Sequence, residues 1–223
     1  MFLVGITGGI ASGKSTVSAI LKNDFKCTVV DADVIARDIL LPHTAAYNKV
    51  AAEFGPVVIN KDGTLNREAL GSIVFNDHHK RKRLNSITHW AIGKVMLFQI
   101  IKGFLKGNRF IILDVPLLIE SKFWLPFLKY TVVISCSYES QLSRLILRNS
   151  FTKGQAQARI SSQMPLTEKS KHATNIIDNN ASILETYQQV AKFYSVLKQT
   201  KTMNLYECLG ILIVFLIILY ALF

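Results

Sequence analysis

Residues 8–15 have the composition of a loop that binds phosphate groups. They read Gly-Gly-Ile-Ala-Ser-Gly-Lys-Ser between an apolar run and a segment of helical character, which fits the pattern G-x4-G-K-[ST]. Glycines let successive backbone N–H groups curl around an anion, and the following helix N-terminus adds about half a unit of positive charge. We expect Lys14 to reach the β- and γ-phosphates of a nucleotide and the Ser15 hydroxyl to hold Mg2+.

Three aspartates follow short apolar runs that are typical of buried strands. Asp31 and Asp33 come after residues 27–30, and Asp114 ends the run 109–113. Open α/β sheets bind their ligands at the carboxyl ends of the strands. Asp114 also has the form of the Walker B aspartate that helps to position Mg2+. For Asp31 and Asp33, the alternative that they only form a turn and cap the next helix stays open.

Strand-like and helical segments alternate along the chain, which predicts an α/β fold with a parallel sheet and right-handed crossovers. Residues 42–106 form a long helical insert. Its longest helix, 87–106, has an apolar pattern that predicts core positions at Trp90, Val95, Leu97, Phe98 and Ile101.

Composition narrows the function classes only in part. Lys and Arg outnumber Asp and Glu by 26 to 15, a net charge of +11 that suits nucleic acid, an anionic membrane or a polyphosphate substrate. The basic cluster at 78–83 has no interleaved aromatic residues to stack on bases, so a solvated helix face is favoured and no nucleic-acid partner is expected. The three cysteines lack metal-ligand spacing, which indicates free thiols in a reducing compartment.

The C-terminal run 205–223 is apolar apart from Glu207 and is 19 residues long. As a helix it would span about 28 Å, close to the hydrocarbon thickness of a bilayer. It therefore predicts a transmembrane anchor, with a buried core helix as the alternative. Lysines before the run place the globular part on the cytosolic side, at the endoplasmic reticulum or the mitochondrial outer membrane.

Two classes of phosphate-loop protein compete for this sequence. A GTPase-type switch would carry an Asn/Thr-Lys-x-Asp motif after a strand, and the sequence has none. A small-molecule kinase needs a base near the loop and arginines on a closing lid. Asp33, Arg144, Arg148 and Arg159 are suited to those roles.

From residue 1 to about 201 the chain resembles the dephospho-CoA kinases. The motifs that carry the resemblance are residues 7–15, 31–33 with Arg37, 62–67, 87–89, 114–120, Gln141 with Arg144, Leu145 and Arg148, Arg159-Ile160 with Gln163, and 177–179.

The resemblance implies a fold and a reaction. The fold is a P-loop NTPase core like that of nucleoside-monophosphate kinases, in residues 1–203, with an acceptor-binding lobe at about 42–106 and a lid at about 149–165. The reaction is the ATP- and Mg2+-dependent phosphorylation of the ribose 3′-hydroxyl of dephospho-CoA, giving coenzyme A.

The resemblance also assigns site residues. The catalytic residues are Asp33, as the base, Lys14 and Arg144, and the metal ligands are Ser15 and Asp114. The acceptor is bound by Asp33, Arg67 and His89, and for His89 the alternative of a purely structural hydrogen-bonding role stays open. The residues expected to bind the nucleotide are Gly8, Gly9, Ile10, Ala11, Ser12, Gly13, Lys14, Ser15, Thr16 and Arg148.

Two positions depart from the family pattern. The usual His-Pro reads His89-Trp90, and the usual Ala-Asp before the last strand reads Ala173-Thr174, which removes a carboxylate expected near the nucleotide. A second hypothesis therefore stays open: a membrane-tethered, non-catalytic relative that binds nucleotide or CoA as an interaction module. The oligomeric state is open as well.

Overall fold

The computed structural model describes residues 1–202 and residue 210. Strands and helices alternate in the described part of the chain, as the sequence pattern predicts. In chain order they are β1 (Phe2–Gly8), α1 (Lys14–Asn23), β2 (Val29–Asp31), α2 (Ala32–Asp38), α3 (Ala45–Phe54), α4 (Arg67–Asn76), α5 (His78–Leu105), β3 (Phe110–Asp114), α6 (Leu118–Ser121), β4 (Leu128–Ser135), α7 (Tyr138–Asn149), α8 (Lys153–Ser161), α9 (Leu166–Lys171), β5 (Asn175–Asp178) and α10 (Ile183–Gln199).

The described residues divide into two compact units. The sheet unit contains Met1–Asp31 together with residues 103–202, and the helical unit contains Ala32–Lys102.

All five strands of the sheet unit are parallel, in the order β2-β3-β1-β4-β5. Strand β1 is central and buried along its whole length, because its apolar residues do not alternate with polar ones. Helices α1 and α10 pack against the sheet through side chains that join one core, which includes Phe2, Val4, Ile6, Val17, Leu21, Val190, Phe193 and Leu197. This core fixes the end of β1, from which the predicted phosphate loop continues.

The helical unit has its own small core around Val50, Val58, Leu65 and Leu70. Helix α4 begins after Asn66, whose side chain caps the helix by accepting a hydrogen bond from the N–H of Ala69 at 2.9 Å. The four basic residues 80–83 on α5 are all exposed. Their exposure agrees with a solvated helix face.

The predicted core of α5 is wrong at Phe98, and its other positions, Trp90, Val95, Leu97 and Ile101, are half-buried. Met96 and Ile100 are buried, whereas Phe98 is 65% exposed. Met96 and Ile100 are four residues apart and so lie on one face, and Phe98 lies about 200° around the helix from Met96. The sequence of α5 has hydrophobic residues on several sides of the helix, so its apolar pattern did not identify which face is buried.

The prediction of a C-terminal transmembrane helix is not upheld, and the fold class is corrected to an α/β parallel sheet with a helical unit. Among the described residues, no helix combines the length and the apolar character that a membrane crossing requires. Apart from Gly210, the segment 205–223 that prompted the prediction lies outside the described residues. The membrane localisation derived from that helix is withdrawn with it.

Candidate functional site

The predicted phosphate loop joins the carboxyl end of β1 to the first turn of α1. Its backbone takes left-handed conformations at Ala11, with φ of 59°, and at Gly13, with φ of 95°. A Cβ atom on Gly13 would lie 1.8 Å from Nδ2 of Asn179, so this position requires glycine for its space as well as its φ angle. The Ser12 hydroxyl is buried and has no hydrogen-bond partner among the described residues.

Side chains from distant elements hold two carbonyl groups of the loop. Gln141 Nε2 on α7 donates to the carbonyl of Ile10 at 2.7 Å, and Asn179 Nδ2 donates to the carbonyl of Ser12 at 2.9 Å. Since peptide units are planar and trans, these contacts turn the N–H groups of Ala11 and Gly13 to the opposite side. N–H groups that share one side of a loop with left-handed residues form an anion-binding hollow, so the loop fits a phosphate group.

Helix α10 fixes the orientation of Asn179. Thr186, which is fully buried on α10, donates its hydroxyl proton to Asn179 Oδ1 at 2.8 Å. That contact assigns the other amide atom, Nδ2, to the loop carbonyl of Ser12.

Lys14 lies in the first turn of α1, and its ammonium forms an ion pair with Asp114 at the end of β3. Ser18, one turn further along α1, donates its hydroxyl to the other carboxylate oxygen of Asp114. Burial raises the pKa of Asp114, while Lys14 and the Ser18 hydrogen bond act in the opposite direction and Asp31 raises it further. The structure thus brings together the predicted phosphate-binding lysine and the predicted metal ligand.

Oxygen atoms suited to Mg2+ surround the start of α1. Asp31 is the register partner of Asp114 on the neighbouring strand, and Ser15 is exposed in the first turn of α1. In the described part of the chain, no group of three or more His, Cys, Asp or Glu residues could hold a metal ion. Mg2+ binds one or two carboxylates and completes its shell with waters and substrate phosphates, and Asp114 and Ser15 supply oxygens of the kind it prefers.

The two predicted arginines of α7 have different surroundings. Arg144 donates to the carbonyl of Asn179 at 2.7 Å and to the carbonyl of Ser12 at 3.5 Å. Arg148 is exposed and donates to the side chain of Asn149 at 2.9 Å. Arg144 therefore contacts the backbone of the phosphate loop, and its direct role toward phosphates stays a prediction.

The expected lid contains helix α8 and the turn that follows it. Helix α8 begins with a capping box formed by Thr152 and Gln155, and the Arg159 guanidinium lies 4.5 Å from the centre of the Phe151 ring. After the helix, Gln163 Oε1 accepts a hydrogen bond from the N–H of Ile10 at 2.8 Å. This contact joins the lid segment to the phosphate loop.

The residues predicted to bind the acceptor lie in the helical unit. Asp33 is in the first turn of α2, Arg67 is the first residue of α4, and His89 is on α5; all three are exposed. An aspartate in the first turn of a helix also interacts favourably with the helix dipole. Both interpretations of Asp33 therefore stay open on geometry alone.

A buried lysine next to the loop did not stand out in the sequence. Lys169 on α9 has no exposed surface, and its Nζ contacts the carbonyls of Gly8 and Pro116 and the carboxylate of Glu120. It stands in the polar run Leu-Thr-Glu-Lys-Ser-Lys, which is typical of a surface helix. No local signal separates it from Lys171, two residues later, which is exposed.

Thr174 lies at the amino end of β5, away from the phosphate loop. Its hydroxyl donates to the carbonyl of Thr131 at 3.1 Å and accepts from the Thr131 N–H at 3.0 Å. The loop contacts come from Asn179, just beyond the carboxyl end of the same strand. The expectation that this substitution removes a carboxylate near the nucleotide is therefore wrong, because Thr174 and the loop are at opposite ends of the strand.

Comparisons with known proteins agree with this geometry. The family model described as dephospho-CoA kinase matches residues 2–185. The chain is 49% identical over 197 residues to a dephospho-CoA kinase domain-containing protein of Danio rerio, which covers 88% of this chain and 86% of that protein. It is 43% identical over 188 residues to a dephospho-CoA kinase of Bacillus cereus, a match that covers 84% of this chain and 93% of that protein. The solved structure of the dephospho-CoA kinase of Campylobacter jejuni superposes with a TM-score of 0.64 at 29% identity. The superposition covers 86% of this chain and 95% of that chain.

Proposed function

Since this chain belongs to the dephospho-CoA kinase family, we propose that its phosphate loop, Asp114 and Asp33 carry out the reaction of that family. The enzyme uses ATP and Mg2+ to phosphorylate the ribose 3′-hydroxyl of dephospho-CoA, and the products are coenzyme A and ADP. The observation that carries the assignment of residues is the arrangement of the loop, whose Ile10 and Ser12 carbonyls are held by side chains while Lys14 pairs with Asp114.

The loop binds the phosphates of ATP through backbone N–H groups, the positive end of α1 and Lys14. ATP supplies the phosphoryl group, and Mg2+ neutralises charge on the phosphates. Lys14, which pairs with Asp114 in this structure, would contact a phosphate oxygen of the nucleotide, and Asp114 and Ser15 would hold Mg2+ directly or through water. Arg144 and Arg148 of α7 add positive charge on the nucleotide side, where negative charge develops during transfer.

Asp33 orients the acceptor hydroxyl and takes its proton. Its carboxylate is exposed and can accept a hydrogen bond from a ribose hydroxyl. Arg67 and His89, in the same helical unit, bind other parts of the acceptor. These roles come from the match of the residues to family motifs.

The test is turnover by the full-length protein with ATP, Mg2+ and dephospho-CoA, with coenzyme A and ADP quantified by chromatography. We expect Lys14→Ala and Asp33→Asn to abolish turnover. Asp33→Asn should still bind ADP, since Asp33 acts on the acceptor. Lys22→Ala removes an exposed lysine from the last turn of the same helix as Lys14 and should retain activity.

Failure of the wild-type protein to exceed the Lys14→Ala background, with both proteins folded by circular dichroism, would refute the kinase assignment. The remaining interpretation would be a non-catalytic relative that binds nucleotide or CoA. Direct titration with ADP and with dephospho-CoA would then identify which ligand it retains.

A further inference from the structure

Lys169 places a charged ammonium group in the interior of the sheet unit. The residue is on α9, has no exposed surface, and lies 2.8 Å from Oε1 of Glu120. Its Nζ also donates to the carbonyl of Pro116 at 3.2 Å and to the carbonyl of Gly8 at 3.3 Å. The ammonium therefore has one ion pair, to Glu120, and two hydrogen bonds, to backbone carbonyls.

Stability alone is a poor explanation for this ion pair. Both carboxylate oxygens of Glu120 are buried and have no hydrogen-bond donor in the described part of the chain apart from the Lys169 ion pair. Replacing a buried ion pair by apolar side chains of similar volume is often neutral or stabilising, because desolvation of two charges offsets their attraction. The role of the buried ammonium is therefore sought in its hydrogen bonds to the carbonyls of Gly8 and Pro116.

Those contacts join the two segments that carry the reaction. Gly8 is the last residue of β1 and the first residue of the phosphate loop, and Pro116 is two residues beyond Asp114 on the segment that follows β3. The Pro116 carbonyl also accepts a hydrogen bond from Thr7 at 2.7 Å. Lys169 is thus a common donor to the first residue of the phosphate loop and to the segment just after Asp114.

The Gly8 contact completes a pattern along the loop. The carbonyls of Gly8, Ile10 and Ser12 are held by Lys169, Gln141 and Asn179, respectively. Each planar peptide that has its carbonyl held in this way presents the N–H of the next residue on its opposite side. Three alternate peptides are oriented by side chains from α7, α9 and the segment after β5.

We propose that Lys169 is a positioning residue for the nucleotide, which holds the Gly8 peptide so that the phosphate loop has its binding conformation before ATP arrives. This inference rests on the proposed function for the identity of the ligand, a nucleoside di- or triphosphate. Lys169 touches neither substrate. Its effect is on the affinity for the nucleotide, because a loop that must first be ordered binds more weakly.

Two variants distinguish this role from the alternative that Lys169 only neutralises the buried carboxylate of Glu120. Lys169→Met/Glu120→Leu removes both charges, and Glu120→Gln removes the ion pair but leaves the ammonium on the two carbonyls. The matched control is Lys171→Met/Glu168→Leu, which removes an exposed ion pair of 2.7 Å from the same helix. For each full-length variant, the thermal midpoint and the dissociation constant for ADP without Mg2+ are measured, the latter by calorimetry.

We expect the double variant at Lys169 to fold and to bind ADP about tenfold or more weakly, which corresponds to about 1.4 kcal/mol. Glu120→Gln should lower the thermal midpoint and leave ADP affinity within about twofold. The control should change neither quantity. Wild-type ADP affinity in the folded double variant would overturn the proposal. If the double variant does not fold, the test is Glu120→Gln alone. A loss of ADP affinity in Glu120→Gln in proportion to its loss of stability would overturn the proposal, and retained ADP affinity would support it.

The wild-type protein separates this inference from the proposed function. ADP binding without turnover of dephospho-CoA would refute the kinase assignment while leaving the role of Lys169 to be decided by the ADP affinities. Turnover in the wild type together with unchanged ADP affinity in the folded double variant would refute only the role of Lys169.

Discussion

The side-chain amide of Asn179 occupies the space in which a side chain at Gly13 would have to lie. Its Nδ2 donates to the carbonyl of Ser12 at 2.9 Å and would be 1.8 Å from a Cβ atom on Gly13. The absence of a side chain at Gly13 is thus what allows a residue 166 positions later in the sequence to hold the phosphate loop.

Gly13→Ala should abolish measurable ADP binding. The new methyl group displaces Asn179 from the Ser12 carbonyl, and the φ of 95° adds strain of about 1–2 kcal/mol. Gly107→Ala is the matched control, because Gly107 has a φ of 74° with no atom within 4 Å of the added Cβ. It should bear the conformational strain but bind ADP normally. Equal ADP affinity in the two variants would contradict the steric argument.

The strand, loop and helix around the predicted phosphate site could be predicted from sequence because their signals are local. The apolar run of β1, the glycines and Lys14 are consecutive, and α1 begins at Lys14 as the pattern predicts. The Asp at the end of β3 is likewise recognisable from the four apolar residues before it.

The supports of the loop could not be predicted in the same way. Lys169 is 161 residues from Gly8, and its burial depends on acceptors that only the folded sheet assembles. In α5, the choice between Met96 and Phe98 as the buried residue depends on what packs against the helix, and not on their hydrophobicity. The apolar run 205–223 has the length and composition of a membrane span, but apart from Gly210 it lies outside the described residues, none of whose helices could cross a membrane.

Asp114→Asn should raise the Mg2+ concentration needed for half-maximal turnover and lower kcat about a hundredfold, because the metal loses an anionic ligand. The measurement is turnover against Mg2+ concentration at fixed ATP and dephospho-CoA. Ser18→Ala removes the hydrogen bond to Asp114 but leaves its carboxylate, and should have an unchanged Mg2+ requirement. An unchanged requirement in Asp114→Asn would show that this residue does not hold the metal.

Cys27 should be unreactive at neutral pH. Burial raises the pKa of its thiol from 9.0 to about 11, so at pH 8 the reactive thiolate is about a hundredfold scarcer than in the unfolded chain. Because the pKa is raised, the alkylation rate of native Cys27 should climb about tenfold per pH unit between pH 8 and 10 without a plateau. The rate is measured with iodoacetamide and mass spectrometry of the Cys27 peptide. A plateau near pH 9 would contradict the raised pKa.

Arg144 and Arg148 should respond differently to the same substitution, although they lie one turn apart on α7. Arg144→Gln loses the hydrogen bonds to the carbonyls of Asn179 and Ser12, so both the thermal midpoint and ADP affinity should fall. Removing charged hydrogen-bond donors from partly buried acceptors costs about 1–3 kcal/mol. Arg148→Gln changes an exposed side chain, so the thermal midpoint should stay the same while kcat/KM for ATP falls about tenfold through the loss of positive charge.

Lys153→Gln is the control for loss of charge alone, since Lys153 is an exposed lysine at the start of α8. It should leave stability, ADP affinity and kcat/KM unchanged. If Arg144→Gln keeps the wild-type thermal midpoint and loses only kcat, the arginine acts on the transferred phosphoryl group rather than on the loop backbone. If the thermal midpoint and the ADP affinity both fall, the main effect of Arg144 is on the conformation of the loop. Only contacts that are made without nucleotide can change the stability of the nucleotide-free protein.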